Sequence, residues 1–354
     1  MQGKKVIIAP LDWGLGHATR CVPVIREFLR QGAEVVIAAD GRPLSFLQRE
    51  FPALKTRILP GYQITYPRHK HLGIHLLMQS PKIIKAIQQE KDFIEKIAAE
   101  EKPHVIVSDN RFACRVHGVK NIYITHQIHV DAPLASSLST GVHARYYNRF
   151  DEVWIPDVAE TKNLSGKLSV SSSLKTPSRF VGILTRFESC TAEKKYDLLV
   201  MLSGPEPQRT IFEDILLHRL QQTSLRVLMV RGLAERNDTV IRHENGIDVA
   251  DHLDTDELCK AIASSAVILS RPGYSTLSDL SVFGKPMIVV PTPGQTEQEY
   301  LAEYHSSAGR VVAASQDYFD PERAMRAAMQ LQKCISYPKN SALLEEAVRS
   351  ALTE

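Results

Sequence analysis

Runs of aliphatic and β-branched residues alternate along this chain with longer stretches in which apolar side chains recur every third or fourth position. The short runs are typical of buried strands, and the longer stretches are typical of amphipathic helices. Strands that alternate with helices form βα units, which assemble into parallel sheets. In the first half of the chain, the pattern predicts strands at 5–9, 34–38, 104–108, 121–125 and 151–156.

The second half repeats this organisation with a second set of strands. They are predicted at 196–202, 225–230, 265–270, 285–290 and 310–313. Over the whole chain, helices are predicted near 18–31, 74–100, 141–149, 206–222, 255–264, 274–283, 296–307, 320–334 and 339–353. The predicted fold class is therefore α/β, with two Rossmann-like domains in tandem.

A polar stretch rich in serine and lysine separates the two sets of strands and has no regular period. Such a composition is typical of a loop, so a linker is predicted at 159–180. The N-terminal domain is then 1–158 and the C-terminal domain 181–335. Residues 336–354 are predicted to form a C-terminal helix, which can pack back on the N-terminal domain. The length of 354 residues also favours two domains over one.

The composition, with 44% hydrophobic and 23% charged residues, is that of a soluble globular protein. We expect neither a membrane-spanning helix nor a signal peptide, because no apolar run is long enough and a strand starts near the N-terminus. The cysteines are scattered and form no C-x-x-C pair, which favours reduced thiols and a cytoplasmic location. They are Cys21, Cys114, Cys190, Cys259 and Cys334.

The formal charge of +3 conceals an asymmetry between the two halves. Residues 1–150 carry 21 lysines and arginines against 12 acidic residues, a net charge of +9, and the remainder carries −6. A basic half attracts an anionic substrate or an anionic membrane surface, although ordinary solvated faces explain the excess equally well. The stretch 66–78, followed by Lys82 and Lys85, fits attachment to anionic lipid, and it also fits a core helix with basic edges.

Ligands of parallel sheets bind beyond the carboxyl ends of the strands, so the residues that follow each strand are the first candidates. Gly14, Gly16 and His17 follow the first strand and open a helix, whose free N–H groups favour an anion. The third glycine of a dinucleotide-binding loop is missing, which argues against a nicotinamide cofactor. The alternative is a plain βα turn with a solvent-facing histidine.

Two segments in the second half resemble the first-strand turn in position, because each follows a predicted strand and precedes a predicted helix. In the first, Arg271, Gly273, Ser275 and Thr276 can hold a diphosphate, and Asp279 lies one helical turn later, where it can accept from ribose hydroxyls. Ordinary capping of a helix explains the two hydroxyl residues as well. The second segment supplies polar side chains that suit sugar hydroxyls, namely Gln295, Gln298 and Glu299.

These segments resemble the GT-B glycosyltransferases of family 28, the MurG-like enzymes. The likeness is strongest over 245–310 and at 6–24, and it is architectural elsewhere. The string from Gly16 to Cys21 is also similar to that of UDP-sugar hydrolases of pseudaminic acid synthesis. The resemblance implies two Rossmann-like domains that face each other across a cleft, with the acceptor on the N-terminal domain and the nucleotide-sugar on the C-terminal domain.

Residue by residue, the resemblance assigns the nucleotide to the segment from Ser270 to Asp279. Asp279 takes the place of the ribose-binding carboxylate, and Leu253 matches the residue whose backbone pairs with uracil. Gln298 matches the first of two glutamines that hold the donor sugar, whereas the second is Glu299 here. The glycine-rich loop is altered and offers Ser203, Gly204 and Arg209 to phosphate.

The resemblance implies an inverting transfer in which an acceptor hydroxyl attacks the anomeric carbon of a UDP-sugar. This chemistry needs a base near the acceptor, and His17 is the first candidate because imidazole titrates near neutral pH. Asp109 and His126, each following a strand, are expected at the same edge. Asp109 can act as the base, can orient it, or can cap the next turn.

Helix N-termini and arginines can stabilise the leaving group, so we expect no metal and no cofactor. The string Asp254-Thr255-Asp256 fits a metal-binding D-x-D pattern, but it also fits a helix cap. The expected partners are a nucleotide-sugar donor and a glycan or lipid-linked acceptor, with peripheral contact at the inner face of the membrane and no nucleic acid. Two alternatives remain open: a UDP-sugar hydrolase in which His17 activates water, and a non-catalytic nucleotide-sugar-binding protein.

Overall fold

A computed structural model describes residues 3–62, 80–129, 136–160, 162–170, 174–188, 190–233, 240–244, 246–338 and 341–353. Within these residues the chain divides into two compact units. Unit 1 runs to Arg186 and also takes the last helix of the chain, whereas unit 2 comprises Phe187–Pro338. Each unit contains one sheet.

The sheet of unit 1 has seven parallel strands in the order β3-β2-β1-β4-β5-β6-β7. The strands are β1 Lys5–Pro10, β2 Glu34–Ala39, β3 Lys55–Ile58, β4 Val105–Asp109, β5 Lys120–Ile124, β6 Glu152–Ile155 and β7 Ser178–Phe180. The central strands are continuous hydrophobic runs because helices cover both faces of such a sheet. The strand order reverses between β1 and β4, which makes that edge the topological switch point.

In the described residues, four helices lie between these strands: α1 Leu15–Arg30, α2 Gly41–Glu50, α3 Ser80–Glu101 and α4 Ser136–Tyr147. On α1, the buried face includes Cys21, Val24, Ile25 and Phe28, whose spacing is that of an amphipathic helix. This face packs into the core that β1, β2 and β4 form. The helix thereby begins at the carboxyl end of β1, directly at the switch point.

Unit 2 repeats the same design in the order β10-β11-β9-β8-β12-β13-β14, with β10 antiparallel and the other neighbours parallel. Its strands are β8 Tyr196–Met201, β9 Val227–Val230, β10 Arg242–Glu244, β11 Ile247–Ala250, β12 Ser265–Ser270, β13 Met287–Val289 and β14 Val312–Ala313. Its helices are α5 Gln208–Leu220, α6 Thr255–Ala263, α7 Tyr274–Ser281, α8 Thr296–Ser307 and α9 Pro321–Met329. The prediction of two α/β units is confirmed.

The predicted linker at 159–180 is wrong. Its last residues form β7, which pairs with β6 and completes the sheet of unit 1. The residues before β7 are also held by this unit, because the buried Asp157 carboxylate accepts from the amides of Leu164 and Ser165 at 3.0 and 2.8 Å. The boundary therefore lies after Arg186, and the predicted domain limits at 158 and 181 are corrected accordingly.

The last helix, α10 Ser341–Thr353, packs against α1 of unit 1. Val348 and Leu352 are fully buried in that core. At the rim, the Gln31 side chain donates to the carbonyl of Glu345 at 2.9 Å, and Arg30 pairs with the Glu345 carboxylate at 3.0 Å. The core of unit 1 is thus built from both ends of the chain.

We predict that Leu352→Ala lowers the free energy of unfolding by about 2–4 kcal/mol, because it leaves a cavity between α10 and α1. Met329→Ala is the matched control, since Met329 is 60% exposed on α9 and its loss leaves no cavity. Urea unfolding followed by circular dichroism measures both. Equal small effects for the two variants would contradict the packing described for α10.

Candidate functional site

The helix that follows β1 begins without a side-chain cap. Its N-cap is Gly14, whose φ of 111° lies in the region that favours glycine. No acidic residue lies in the first turn, which contains Gly16 and His17. The N–H groups at this helix start therefore keep their partial positive charge and can attract an anion.

His17 contacts the last residue of β4. Its Nδ1 lies 2.8 Å from Oδ1 of Asp109, and the side chains of His17 and Asp109 are 16% and 0% exposed. The register pairs Pro10 with Asp109 across the switch point, which brings the helix after β1 over the end of β4. His17 is thus the solvent-facing member of a buried pair.

Arg20, one turn after His17 on α1, compensates the charge of Asp109. Its Nε donates to Asp109 Oδ2 at 2.8 Å, and its Nη2 contacts Oδ1 as well. Burial alone would raise the pKa of Asp109, but the charge of Arg20 and the hydrogen bonds from Arg20 and His17 hold it well below its usual range. Asp109 is therefore ionised, and its low pKa and full burial make it a weak base that is better placed to orient His17.

The same contacts decide which nitrogens carry protons. Nδ1 of His17 lies 2.8 Å from Asp109 Oδ1, which can only accept, and 3.1 Å from Arg20 Nη2, which can only donate. The shorter contact is to the ionised carboxylate, so we assign the proton of His17 to Nδ1, and Arg20 Nη2 donates to Asp109. Nε2 of His17 then has the free lone pair of a base. Arg20 can only donate, and its Nη1 lies 2.9 Å from Nδ1 of His126, which must accept. His126 is 5% exposed, so its position supports Arg20 more than it offers a reactive group.

Arg20 was absent from the predicted site, although it stands in the string from Gly16 to Cys21. Its signal was the spacing of three residues from His17, which places both side chains on one face of a helix. Cys21 joins the same group, because its Sγ donates to Asp109 Oδ2 at 3.7 Å. The structure thus brings His17, Asp109 and His126 together, as expected, around Arg20, which was not among the predicted site residues.

In unit 2, the helix after β12 also begins without a side-chain cap. Its N-cap is Gly273, and its first turn contains Ser275 and Thr276 but no acidic residue. At the end of β12, the buried Ser270 hydroxyl has no hydrogen-bond partner among the described residues. Asp279 lies one turn further along α7 and is 5% exposed. This is the second helix start that suits an anion.

Other helices of unit 2 satisfy their N-termini with their own side chains. The Asp254 carboxylate accepts from the amide of Glu257 at 2.7 Å, and Glu257 accepts from the amide of Asp254 at 3.1 Å. This capping box accounts for the D-x-D string. On α9, Asp320 accepts from the amide of Arg323 at 3.0 Å. The start of α7, which has no side-chain cap, therefore differs from the capped starts of α6 and α9.

The loop after β8 differs from α7 in this respect. Gly204 has a φ of 101°, but the carboxylate of Glu206 accepts from the amide of Thr210 at 3.2 Å and thus occupies the start of α5. Arg209 donates to Glu206 at 2.6 Å and to Glu213 at 2.5 Å. The predicted role of Arg209 as a phosphate ligand is not supported, because its guanidinium is already paired. Ser203 remains at the strand end.

The predicted role of Arg271 as a diphosphate ligand is not supported either. Its Nη1 donates to the carbonyls of Val290 and Pro291 at 2.9 and 3.0 Å, and its guanidinium lies 3.9 Å from the centroid of the Phe212 ring. Burial lowers the pKa of Arg271 to about 9. The side chain joins the ends of β12 and β13 to α5, and these contacts do not support its predicted role as a phosphate ligand.

The segment before α8 is held by the residues that were predicted to bind the sugar. The side-chain oxygen of Gln295 accepts from the amide of Gln298 at 2.6 Å, and that of Gln298 accepts from Thr292 at 2.8 Å. Glu299 accepts from the amide of Gly294 at 2.8 Å. The carboxamide nitrogens and the second carboxylate oxygen take no part in these bonds. Leu253 lies between β11 and α6 and is 3% exposed.

Two expectations concern membranes and metals. The stretch 66–78 lies outside the described residues, and no helix in the described part is long and apolar enough to cross a membrane. Among the same residues, no group of three or more histidine, cysteine, aspartate or glutamate side chains is arranged to hold a metal ion.

Comparison with known sequences finds a family model that matches part of the chain. Residues 208–352 match the model of the glycosyltransferase family 28 C-terminal domain. A UDP-N-acetylglucosamine–N-acetylmuramyl-(pentapeptide) pyrophosphoryl-undecaprenol N-acetylglucosamine transferase of Methylobacterium radiotolerans is 35% identical over 97 residues, which span 27% of this chain and 26% of that protein. An uncharacterized glycosyltransferase of Methanosarcina mazei is 21% identical over 83% of this chain and 81% of its own length.

Solved structures show the same fold over nearly the whole chain. The glycosyltransferase SnogD from Streptomyces nogalater has a TM-score of 0.64 at 12% identity and covers 99% of this chain and 100% of its own. MurG of Acinetobacter baumannii has a TM-score of 0.55 at 14% identity, with coverage of 99% and 94%. Identities this low establish a shared fold and leave the substrate open.

We predict that Arg20→Met lowers the free energy of unfolding by about 3–5 kcal/mol at pH 7, because it leaves the buried Asp109 carboxylate without its cation. Arg326→Met on α9 removes a pair with Glu322 in which the two side chains are 68% and 61% exposed, and it should leave stability nearly unchanged. Urea unfolding at neutral pH measures the difference. A loss for Arg20→Met no larger than that of the control would contradict the assigned burial of the charge.

The Asp109 carboxylate also predicts a pH dependence. Its folded pKa is depressed, so its contribution to stability is present above the unfolded value of about 4 and is lost as the pH falls below it. In Arg20→Met the buried carboxyl has lost its arginine, and we expect its folded pKa to lie above about 4. Acidification then protonates Asp109 in the folded variant and removes the cost of its buried charge. The stability gap between the wild type and Arg20→Met should therefore narrow from pH 7 to pH 5.

Proposed function

Because this chain is a glycosyltransferase of the GT-B, family 28 type, we propose that it transfers a hexosyl group from a UDP-sugar to an acceptor hydroxyl with inversion at the anomeric carbon. The observation that carries this proposal is the pair of His17 and Asp109 at the switch point of unit 1. Asp109 fixes the proton of His17 on Nδ1, so that Nε2 is free to act as a base at the solvent-facing side.

The chemical step follows from this arrangement. The acceptor O–H gives its proton to Nε2 of His17, and its oxygen forms a bond to the anomeric carbon. The bond between that carbon and the diphosphate oxygen breaks, and the electron pair leaves with UDP. Asp109 stabilises the imidazolium that forms, as a carboxylate does when it is hydrogen-bonded to the other ring nitrogen. A single displacement inverts the configuration of the anomeric carbon.

Unit 2 would hold the donor. The diphosphate would bind the open start of α7, where the backbone amides and the hydroxyls of Ser275 and Thr276 meet. Asp279 would accept from the ribose, the backbone of Leu253 would pair with uracil, and Gln298 and Glu299 would contact the sugar. The helix dipole stabilises the leaving diphosphate, so the proposed step needs no metal.

The acceptor is proposed to be a glycan or a lipid-linked glycan of the cell envelope, approached from the cytoplasmic side. The start of α3 supports peripheral contact with an anionic membrane, because Ile84 is 65% exposed there and the exposed Lys82 and Lys85 flank it. An exposed aliphatic side chain between two lysines suits the interface of anionic lipid.

Nucleotide binding gives the first test. UDP should raise the melting temperature, because a ligand that binds only the folded state stabilises it, by about 2.7 kcal/mol at a hundred times Kd. ADP and NAD(P) should have little effect. Stabilisation by NAD(P) and not by UDP would overturn the proposal. Asp279→Asn should weaken UDP binding, while Asp214→Asn, a surface control on α5, should not.

Turnover gives the second test. His17→Ala should lower kcat by about 10²–10⁴-fold, the range expected when a general base is removed, while UDP binding persists. Product analysis with UDP-sugars is run with and without acceptor preparations. Rapid stoichiometric release of free sugar without acceptor would replace the transferase by a hydrolase in which His17 activates water. Unchanged turnover in His17→Ala would remove His17 from the mechanism, and UDP binding without any turnover would identify a non-catalytic binding protein.

A further inference from the structure

Arg231 lies at the carboxyl end of β9 in unit 2, and no proposed ligand contact involves it. Its side chain is 17% exposed and reaches three carboxylates on three different elements. Nε donates to Glu213 on α5 at 2.5 Å, Nη1 to Asp251 after β11 at 3.2 Å, and Nη2 to Glu244 on β10 at 3.3 Å. One planar guanidinium thus connects three segments, which lysine could not do.

The network extends on both sides of Arg231. Glu213 also accepts from Arg209, which lies in the first turn of α5. Asp251 also pairs with Arg242 at 3.1 Å. Charged groups of both signs therefore alternate from the first turn of α5 to the loop after β11. The loop after β11 is the one that the proposed function assigns to the base.

The backbone reinforces this link. The amide of Arg231 donates to the carbonyl of Ala250 at 2.9 Å, and the amide of Leu233 donates to that of Asp251 at 2.9 Å. Gly232 has a φ of 70°, and a Cβ atom there would lie 2.5 Å from the carbonyl oxygen of Leu202. The chain after β9 therefore packs tightly against the end of β8, one residue before Ser203.

Leu253 follows Asp251 by two residues, so the position of its backbone depends on how Asp251 is held. Asp251 is 3% exposed, and at this depth a carboxylate requires a cation. Without Arg231, Asp251 would keep its pair with Arg242 but lose its link to Glu213 on α5, so the 251–254 loop would lose a main point of attachment. The loop would then present the Leu253 backbone less accurately.

We propose that Arg231 is a positioning residue that sets the base-recognition loop, and thereby the preference of this enzyme for uridine nucleotides. The inference rests on the proposed function, because it takes Leu253 as the residue that meets the base. Arg231 acts through Asp251 and touches no ligand itself. Its loss should therefore affect discrimination between bases more than affinity for phosphate.

Isothermal titration with UDP and ADP tests this role. In Arg231→Ala, UDP affinity should fall by about ten- to a hundred-fold, as expected when a binding group is misplaced, while the weaker ADP affinity stays nearly constant. The preference for UDP then shrinks by the same factor. Arg231→Lys should retain part of the preference, because an ammonium can pair with Asp251 but cannot reach all three carboxylates.

Arg226→Ala is the matched control. Arg226 precedes β9 at the opposite end of the same strand and pairs with Asp197 at 3.1 Å, with 59% of its side chain exposed. It should leave both affinities unchanged. Melting temperatures identify a general loss of fold, and if Arg231→Ala does not fold, Asp251→Asn replaces it, with the same expected loss of UDP preference.

The outcomes separate this inference from the proposed function. A wild-type protein that binds no UDP contradicts the proposed function. A wild-type protein that prefers UDP, with an Arg231→Ala variant that keeps the same preference, contradicts only the role of Arg231. Equal weakening of UDP and ADP would also overturn it, because a purely structural residue would lower both affinities together.

Discussion

The Asp109 carboxylate is fully buried, and a buried charge is tolerated only when a cation lies beside it. Arg20 supplies the cation from α1, which ties the first helix of the chain to β4, across the switch point of the sheet. Because Asp109 stays ionised, its oxygen fixes the tautomer of His17, and the same guanidinium fixes that of His126. The proposed chemistry thus depends on one ion pair, and any change that leaves the charge unpaired affects both the fold and the base.

Helix starts distinguish the two proposed anion sites from the rest of the molecule. Most of the helices whose starts are described carry an acidic or amide side chain over their first amides, as Asp254 does on α6 and Asp320 on α9. Such a side chain satisfies the amides and leaves little for a ligand. At α1 and α7 a glycine stands in its place, and no acid lies in the first turn. This favours α7 over α5 for the diphosphate, because Glu206 already occupies the start of α5.

The sequence predicts the parallel sheets, most of the helices and the strand ends where His17, Asp109 and His126 meet, because hydrophobic period and βα alternation are local signals. It fails where the answer depends on which partners the folded chain gives a side chain. Arg209 and Arg271 stand beside turns that look like phosphate loops, yet carboxylates close to it in the chain bind Arg209, and the carbonyl of Val290, after the next strand, binds Arg271. Arg20 is the opposite case: it was not predicted as a site residue, because only the fold brings it into contact with the buried carboxylate of Asp109, which is 89 residues away. The short strand β7 falls within the predicted linker because three paired residues are too few to show a period.

The position of α10 has a consequence for biosynthesis. Unit 2 is formed by one central stretch of the described chain, whereas the core of unit 1 includes Val348 and Leu352, near the C-terminal end of the sequence. The ribosome makes these residues after the whole of Phe187–Pro338. Unit 2 can therefore complete its core during synthesis, while the α1 surface that α10 covers stays exposed until α10 has been made. The half of the protein that is made first would then be the half that matures last, and a chain shortened by its final helix would leave an aliphatic face of α1 open to aggregation.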